Sequence, residues 1–336
     1  MGDTMRKPDT PKRKIIFLRV ALVLFFAVFF LWNEIASGEK VRVAMPAKSL
    51  TFLNFYVGES FGAYKTEGLE VSLEQITPRV GIAGMISGEI DYTTGIGSAM
   101  RAAATGVPIK ALMFTMDRVL LFMLAKPEFK AIKDLKGRTN IVAVTDTAAT
   151  PAFAAIAMAR AHGVDPAKDF VIVSVGTVPT ALAALQSGSA DVAILSLPFN
   201  FKAEELGFRN LGSAVDYMQT PFAGVAATDS KVKSNPNQVK RMLRATLKSL
   251  QQTKDPANRE RVINLITREF NLDAKTAARS LDETIRALSD TGIMPDDAVK
   301  SEVEELQKRL KSKTHVPVSR IVDYTLLKEV LLEMKR

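Results

Sequence analysis

The chain of 336 residues contains no cysteine. That single absence removes disulfide frameworks, thiolate zinc sites, cysteine nucleophiles and a lipid-modified N-terminal cysteine. Histidine is almost as scarce: His162 and His315 stand far apart in sequence, which leaves little for a histidine-rich metal site or a His-dependent triad. Glycine and proline number only 19 and 15, too few for a collagen-like or low-complexity chain. What is present is a globular composition, 47% apolar and 24% charged, with side chains enough for a large core.

The first 38 residues read as an export segment rather than as part of a fold. Arg6, Lys7, Lys12, Arg13 and Lys14 precede an apolar block from Ile15 to Leu18, then Arg19, then an unbroken run from Val20 to Trp32. Ala36-Ser37-Gly38 follows, a small-x-small pattern of the kind that ends a secretory signal. The unbroken run of 13 residues is short against the roughly 20 that span a bilayer as a helix. Counted through Arg19, whose long side chain can snorkel to the headgroups, it reaches 18. Cleaved signal and retained anchor both remain open, and either places residues 39–336 outside the cytoplasmic membrane.

The net charge of +9 is unevenly spread: +3 on residues 1–38, −1 on 39–230 and +7 on 231–336. The neutral middle and the export segment argue against nucleic acid as a partner. The basic excess sits on amphipathic helices at the end, where a solvated face is the expected reading.

Along the rest of the chain the hydrophobic period alternates between two and 3.6. Strands are expected at Val41–Met45, Leu69–Leu73, Asp91–Ile96 and Ile109–Phe114, with helices over 52–65, Arg79–Ile86 and Ser98–Ala104 between them. The pattern restarts with strands at Asn140–Val144, Phe170–Val175 and Val192–Leu197 and helices at Pro151–Ala161 and Thr180–Gln186. Beyond Ser230 only helices are expected. Strands alternating with helices of this length imply parallel βαβ units. An internal echo supports two such units: Ser87-Gly88-Glu89-Ile90-Asp91 and Ser187-Gly188-Ser189-Ala190-Asp191 lie 100 residues apart, each after an apolar helix and before a strand. The glycine suits a left-handed helix C-cap. Chance recurrence of helix–glycine–strand punctuation is the plainer alternative.

The exported start, SGEIDYTTGIGSAM (87–100), IKDLKGRTNIVAV (132–144) and LQSGSADVAILSLP (185–198) together resemble the solute-binding components of ABC importers, in the NMT1/THI5-like group that takes nitrate, sulfonates, taurine and thiamine-precursor pyrimidines. The resemblance covers about residues 40–330. It implies an α/β chain with the type II periplasmic-binding-protein fold: two α/β lobes on a hinge, with a C-terminal helical extension. Lobe one would be 39–125 plus 219–336, and lobe two 126–218. It further implies a monomer that carries a small molecule to a membrane permease and its ATPase, with no catalysis, no metal and no cofactor. Two lobes that both touch the ligand only when closed convert binding into a shape that a permease can recognise.

In open α/β sheets a ligand sits beyond the carboxyl ends of the strands, where helix N-termini offer unpaired N–H groups and positive dipole ends. The loops at those ends supply the residues expected to meet it: Ser49, Thr51 and Phe52; Gly97 and Ser98; Thr147, Ala148 and Thr150; Thr177; Pro198 and Asn200; and Phe222 on the way back. Each has a plainer role available. Ser98 and Thr147 can be simple helix caps, Phe52 and Phe222 can be core, and Lys48, a possible anion partner, can be solvated. The absence of surplus arginine near this cleft favours a small organic molecule with one acidic group over a multiply charged anion.

Three alternatives use the same fold differently. A pyrimidine-synthase-like enzyme is expected to need cysteines and active-site histidine that this chain lacks. A regulator effector would need a DNA-binding segment in front. A membrane-anchored sensor would keep the N-terminal segment. Trp32 is the only tryptophan, so protein recovered from the cell exterior should show tyrosine emission alone if the segment is removed and tryptophan emission if it stays.

Overall fold

A computed structural model describes residues 38–147, 150–309 and 316–335; the segment read from the sequence as a signal or anchor, up to residue 37, and His315 lie outside them. Strands β1 (Glu39–Met45), β2 (Leu69–Gln75), β3 (Tyr92–Thr93) and β4 (Ile109–Met116) come first. They are followed by β5 (Phe122–Ala125), β6 (Asn140–Val144), β7 (Phe170–Ser174), β8 (Val192–Leu195) and β9 (Arg209–Ser213), and then by β10 (Ala223–Thr228). The first sheet runs β2-β1-β3-β10-β4 and the second β7-β6-β8-β5-β9. In each, three strands are parallel neighbours and the fourth position is taken by an antiparallel strand, β10 in one and β5 in the other. This is the two-lobed α/β fold expected from the sequence.

The chain passes from the first sheet to the second through 117–121 and returns through 214–222. The two passages are hydrogen-bonded to each other and to the flanking strands: Val119 N–H donates to Met218 O (3.2 Å), Ala214 N–H to Leu121 O (2.8 Å) and Phe222 N–H to Met116 O (2.9 Å). Arg118 also donates to Val215 O (3.2 Å). Residues 122–125, expected in lobe one, are instead β5, paired to β8 and β9 in the second sheet. All four side chains are buried, and a run buried on both faces carries no alternation to reveal which sheet it joins.

Helices α1 (Leu53–Ser60), α2 (Pro78–Ser87) and α3 (Ile96–Ala104) belong to the first half, and α4 (Thr150–Ala161), α5 (Val178–Gln186) and α6 (Phe199–Glu205) to the second. After β10 come α7 (Pro236–Lys254), α8 (Arg259–Phe270), α9 (Ala274–Ala287), α10 (Asp296–Arg309) and α11 (Thr325–Met334). Helix α7 shows why this tail is both basic and folded. Val239, Met242, Leu243, Leu247 and Leu250 recur at helical spacing and are buried. Its basic face is largely paired: Arg244 and Lys248 meet Glu67 at 2.9 and 2.7 Å, Lys240 meets Glu329 at 2.5 Å, and Arg241 pairs with Glu39. The basic face of α7 is thus engaged within the fold.

The echo noticed in the sequence is a repeated piece of architecture. Gly88 and Gly188 both take left-handed backbone (φ 84° and 77°), which a side chain would strain. Three residues on, Asp91 accepts from the Arg42 N–H of β1 (2.8 Å) and pairs with Lys231 just past β10 (2.6 Å). Asp191 likewise accepts from the Ile141 N–H of β6 (2.9 Å) and pairs with Lys126 just past β5 (2.6 Å). In each lobe one carboxylate ties the central parallel strand to the lysine that follows the antiparallel one.

Two expected boundaries shift. The third strand, expected over 91–96, is only Tyr92–Thr93, because Gly95 already caps α3 and Ile96 begins it. Strands β9 and β10 and helix α6 lie where the sequence suggested nothing regular; β10 reads Ala-Gly-Val-Ala-Ala-Thr, small and wholly buried, so its pairing comes from neighbours rather than from pattern.

Burial pushes the Asp191 carboxyl upward, but the Lys126 and Ile141 hydrogen bonds outweigh it and leave its pKa below the ordinary 3.8. A carboxyl depressed in the folded state contributes stability above that value and loses it as pH falls through the folded pKa. Asp191→Asn should therefore cost about 2 kcal/mol near neutral pH. In urea melts the gap to the wild type should close as pH falls below 3.8.

Candidate functional site

The carboxyl ends of β1 and β3 lead into 46–52 and 94–98, and those of β6 and β8 into 145–150 and 196–200. Between the two sheets lies a cavity of about 270 Å³. Gly97, Met100 and Arg101 of α3 form one wall, Thr150 and Phe153 of α4 another. Met218, Thr220 and Pro221 of the return passage close its back, and Ser301, Glu302, Glu305 and Leu306 of α10 flank it. A cavity of this size falls just below the roughly 300–1,000 Å³ of typical small-molecule sites. A larger hollow, about 440 Å³, is lined only by first-lobe residues around Asp91 and Lys231 at the other end of the strands, so its size says nothing about a site between lobes.

Of the residues singled out in the sequence, Gly97 and Thr150 meet at this cavity. Ser98 does not. It sits inside α3 rather than at its cap, which is Gly95, and faces an outer groove with Arg79, Ile82 and Thr105. The shorter third strand is the reason: the helix starts two residues earlier than expected. Ser49 caps the turn Leu50–Phe52, accepting from Thr51 N–H (3.2 Å) and donating to Thr51 Oγ1 (3.1 Å). Phe52 is buried in the main hydrophobic core, which runs through both lobes. Lys48 is paired with Glu269 (3.6 Å) across the Phe270 ring. Thr147 is exposed, and Ala148 lies outside the described residues. Thr177 caps α5, accepting from Thr180 N–H (3.2 Å), and Pro198 caps α6. Phe222 packs, half-buried, against the cores of both lobes.

Asn200 is the informative one. It is fully buried in the first turn of α6, and neither amide atom has a hydrogen-bond partner. Asn54, in the first turn of α1, shows the same two features, and the buried hydroxyl of Thr115 near the end of β4 is also unpartnered. A buried polar group without a partner costs about 1–3 kcal/mol. Native proteins tolerate such groups where a ligand supplies the missing bond, and both asparagines follow a strand's carboxyl end. Sequence reasoning missed Asn54, although an amide inside the apolar run Leu-Thr-Phe-Leu-Asn-Phe-Tyr-Val was a signal. It also missed Arg101, Phe153 and the α10 wall, which come to the cavity only through tertiary packing.

The hinge carries one perturbed acid. Burial holds the Asp117 carboxyl above the usual carboxylate range, against the charges of Arg118 and Lys254. His162 is hydrogen-bonded to Tyr217 (2.9 Å) away from the cavity. Among the described residues no group of histidines and carboxylates could hold a metal ion.

Two α/β lobes, two linking passages and a cavity between them define a protein of the periplasmic-binding fold. Solved structures agree. The sulfonate ABC transporter protein SsuA from Methylobacillus flagellatus superposes with a TM-score of 0.70 at 21% identity, over 89% of this chain and 96% of that one. The nitrate-binding protein NrtA from Synechocystis gives 0.66 at 15%, over 89% of each. The chain belongs to the NMT1/THI5-like family, whose pattern it matches over residues 49–258. The riboflavin-binding protein RibY of Chloroflexus aurantiacus is 25% identical over 225 residues. That match spans 64% of this chain and 62% of the relative's length.

Asn200→Leu replaces an unpartnered amide with an apolar group of similar size. Without ligand it should stabilise the protein by about 1–2 kcal/mol in urea melts; a loss of stability would mean that the amide has a partner in the fold.

Proposed function

We propose that this protein is an extracytoplasmic solute-binding protein that closes its two lobes on a small organic molecule and presents it to the permease of an ABC importer. The observation that carries this reading is the cavity whose walls come from both lobes and from the return passage. A ligand that touches both walls binds the closed form better and shifts the population toward it. Membership of the NMT1/THI5-like family supports the role.

The lining argues for the chemistry of the ligand. Arg101 offers a guanidinium to one acidic group, while Glu302 and Glu305 stand on the flanking helix. With a single arginine, the lining has no surplus of positive charge for a multiply charged anion, so an organic body with at most one acidic group fits better. Phe153, Met100 and Met218 supply apolar surface for that body. Asn54 and Asn200 do not line this cavity; their buried, unpartnered amides, in helices that follow strand ends, are offered as a donor and an acceptor to a ligand that reaches them on closure. RibY, a relative, carries riboflavin in its name, and SsuA and NrtA carry sulfonate and nitrate in theirs. These three classes frame the screen. No bond is made or broken in this role; the work is capture and release.

Thermal unfolding with riboflavin, pyrimidines, alkanesulfonates, carboxylates and nitrate should single out one class. At a hundredfold excess over its dissociation constant, a ligand adds about 2.7 kcal/mol of stability. Asn200→Leu and Thr150→Ala should each shrink that shift. A protein that responds to no compound, or a shift untouched by both substitutions, would remove this reading.

A further inference from the structure

Helix α9 belongs to the first lobe by packing. Asp117 N–H donates to Ala287 O (3.2 Å), Leu288 bridges to Met116, and Ala277 and Leu281 are fully buried. Yet the same helix reaches the second lobe at two points. Arg286 pairs with Asp216 (2.6 Å), at the start of the return passage. Arg279 donates to Glu204 (2.5 Å), and its guanidinium lies 4.1 Å from the centre of the Phe201 ring. Glu204 and Phe201 are both on α6, whose first turn holds the unpartnered Asn200.

The two arginines differ in lever arm. Arg279 is two helical turns from Arg286, about 10 Å further from the linking passages. A rotation of the lobes about those passages displaces a point in proportion to its distance from them. Opening therefore disturbs the Arg286–Asp216 pair little and parts Arg279 from α6. We propose that Arg279 is an interlobe latch: a positioning residue that never touches ligand but holds α6, and with it Asn200, toward the first lobe, so setting the balance between closed and open forms. The guanidinium suits the task because one planar group both stacks on Phe201 and pairs with Glu204, which an ammonium cannot do together. Its side chain is 45% exposed, so the bias is modest and sensitive to salt.

The inference goes beyond solute capture and can be read without any ligand, so its failure and that of the proposed function are separable. The chain has no cysteine, and Ser87→Cys with Ser187→Cys puts one dye on an exposed turn of each lobe. Energy transfer between the dyes reports the separation of the lobes. In the full chain, Arg279→Ala should raise the open-to-closed ratio about fivefold, and Glu204→Gln should raise it too. Arg279→Lys should fall between Arg279→Ala and wild type, and Arg286→Ala should leave the ratio near wild type. Added sodium chloride should open the wild type and leave Arg279→Ala unchanged. An unaltered ratio in both Arg279→Ala and Glu204→Gln, or equal opening by Arg286→Ala, would overturn the latch.

Discussion

The whole arrangement depends on two short stretches of backbone, 117–121 and 214–222, that run beside each other between the sheets and are hydrogen-bonded together. Each leads into a strand that the other half of the molecule could not otherwise supply. The first becomes β5, antiparallel in the second sheet; the second becomes β10, antiparallel in the first. Because both passages are short and paired, relative motion of the lobes is confined to them, and any group between the lobes responds to that one motion. Cavity, unpartnered amides and the α9 contacts acquire their meaning from this constraint.

Each lobe then repeats one electrostatic device. A carboxylate at the start of a parallel strand accepts an N–H from the neighbouring strand and pairs with the lysine that follows the antiparallel one. It locks the inserted strand to the parallel set at the end of the sheet away from the ligand loops, leaving the carboxyl ends free to carry side chains chosen for binding. Stability and binding are thereby assigned to opposite ends of the same strands. The buried, partnerless amides of Asn54 and Asn200 are the converse case: polar groups without a partner in the fold, in helices that follow the carboxyl ends of the strands.

The C-terminal helices do more than cover the first sheet. α7 brings its basic face onto Glu39, Glu67, Glu329 and Glu333, so this helix contributes paired charges rather than a cationic patch. α10 flanks the cavity with two carboxylates, and α9 carries one arginine near each end of the lever that links the lobes. Segments that look like an appendage in the sequence thus help to shape the cavity and reach across to the second lobe.

Much of the fold was legible before any tertiary information. The period-two runs at Val41–Met45 and Leu69–Leu73, the Gly88 and Gly188 caps and the 100-residue echo all report local backbone preferences, and local preferences survive folding. Strands such as β5 and β10 were hidden because they are buried on both faces, where alternation disappears and pairing is decided by partners far away in sequence. The site divided along the same line. Gly97 and Thr150 could be named because they follow strands; Ser98 was misplaced by the two-residue error in where α3 begins. Arg101, Phe153, Glu302 and Arg279 carry no local signature, since what makes them matter is the distance between helices that only the assembled lobes define. The amino-acid order determined the pieces and their punctuation, while packing alone decided which side chains share a cavity, because proximity across a hundred residues is set by sheet order and not by spacing.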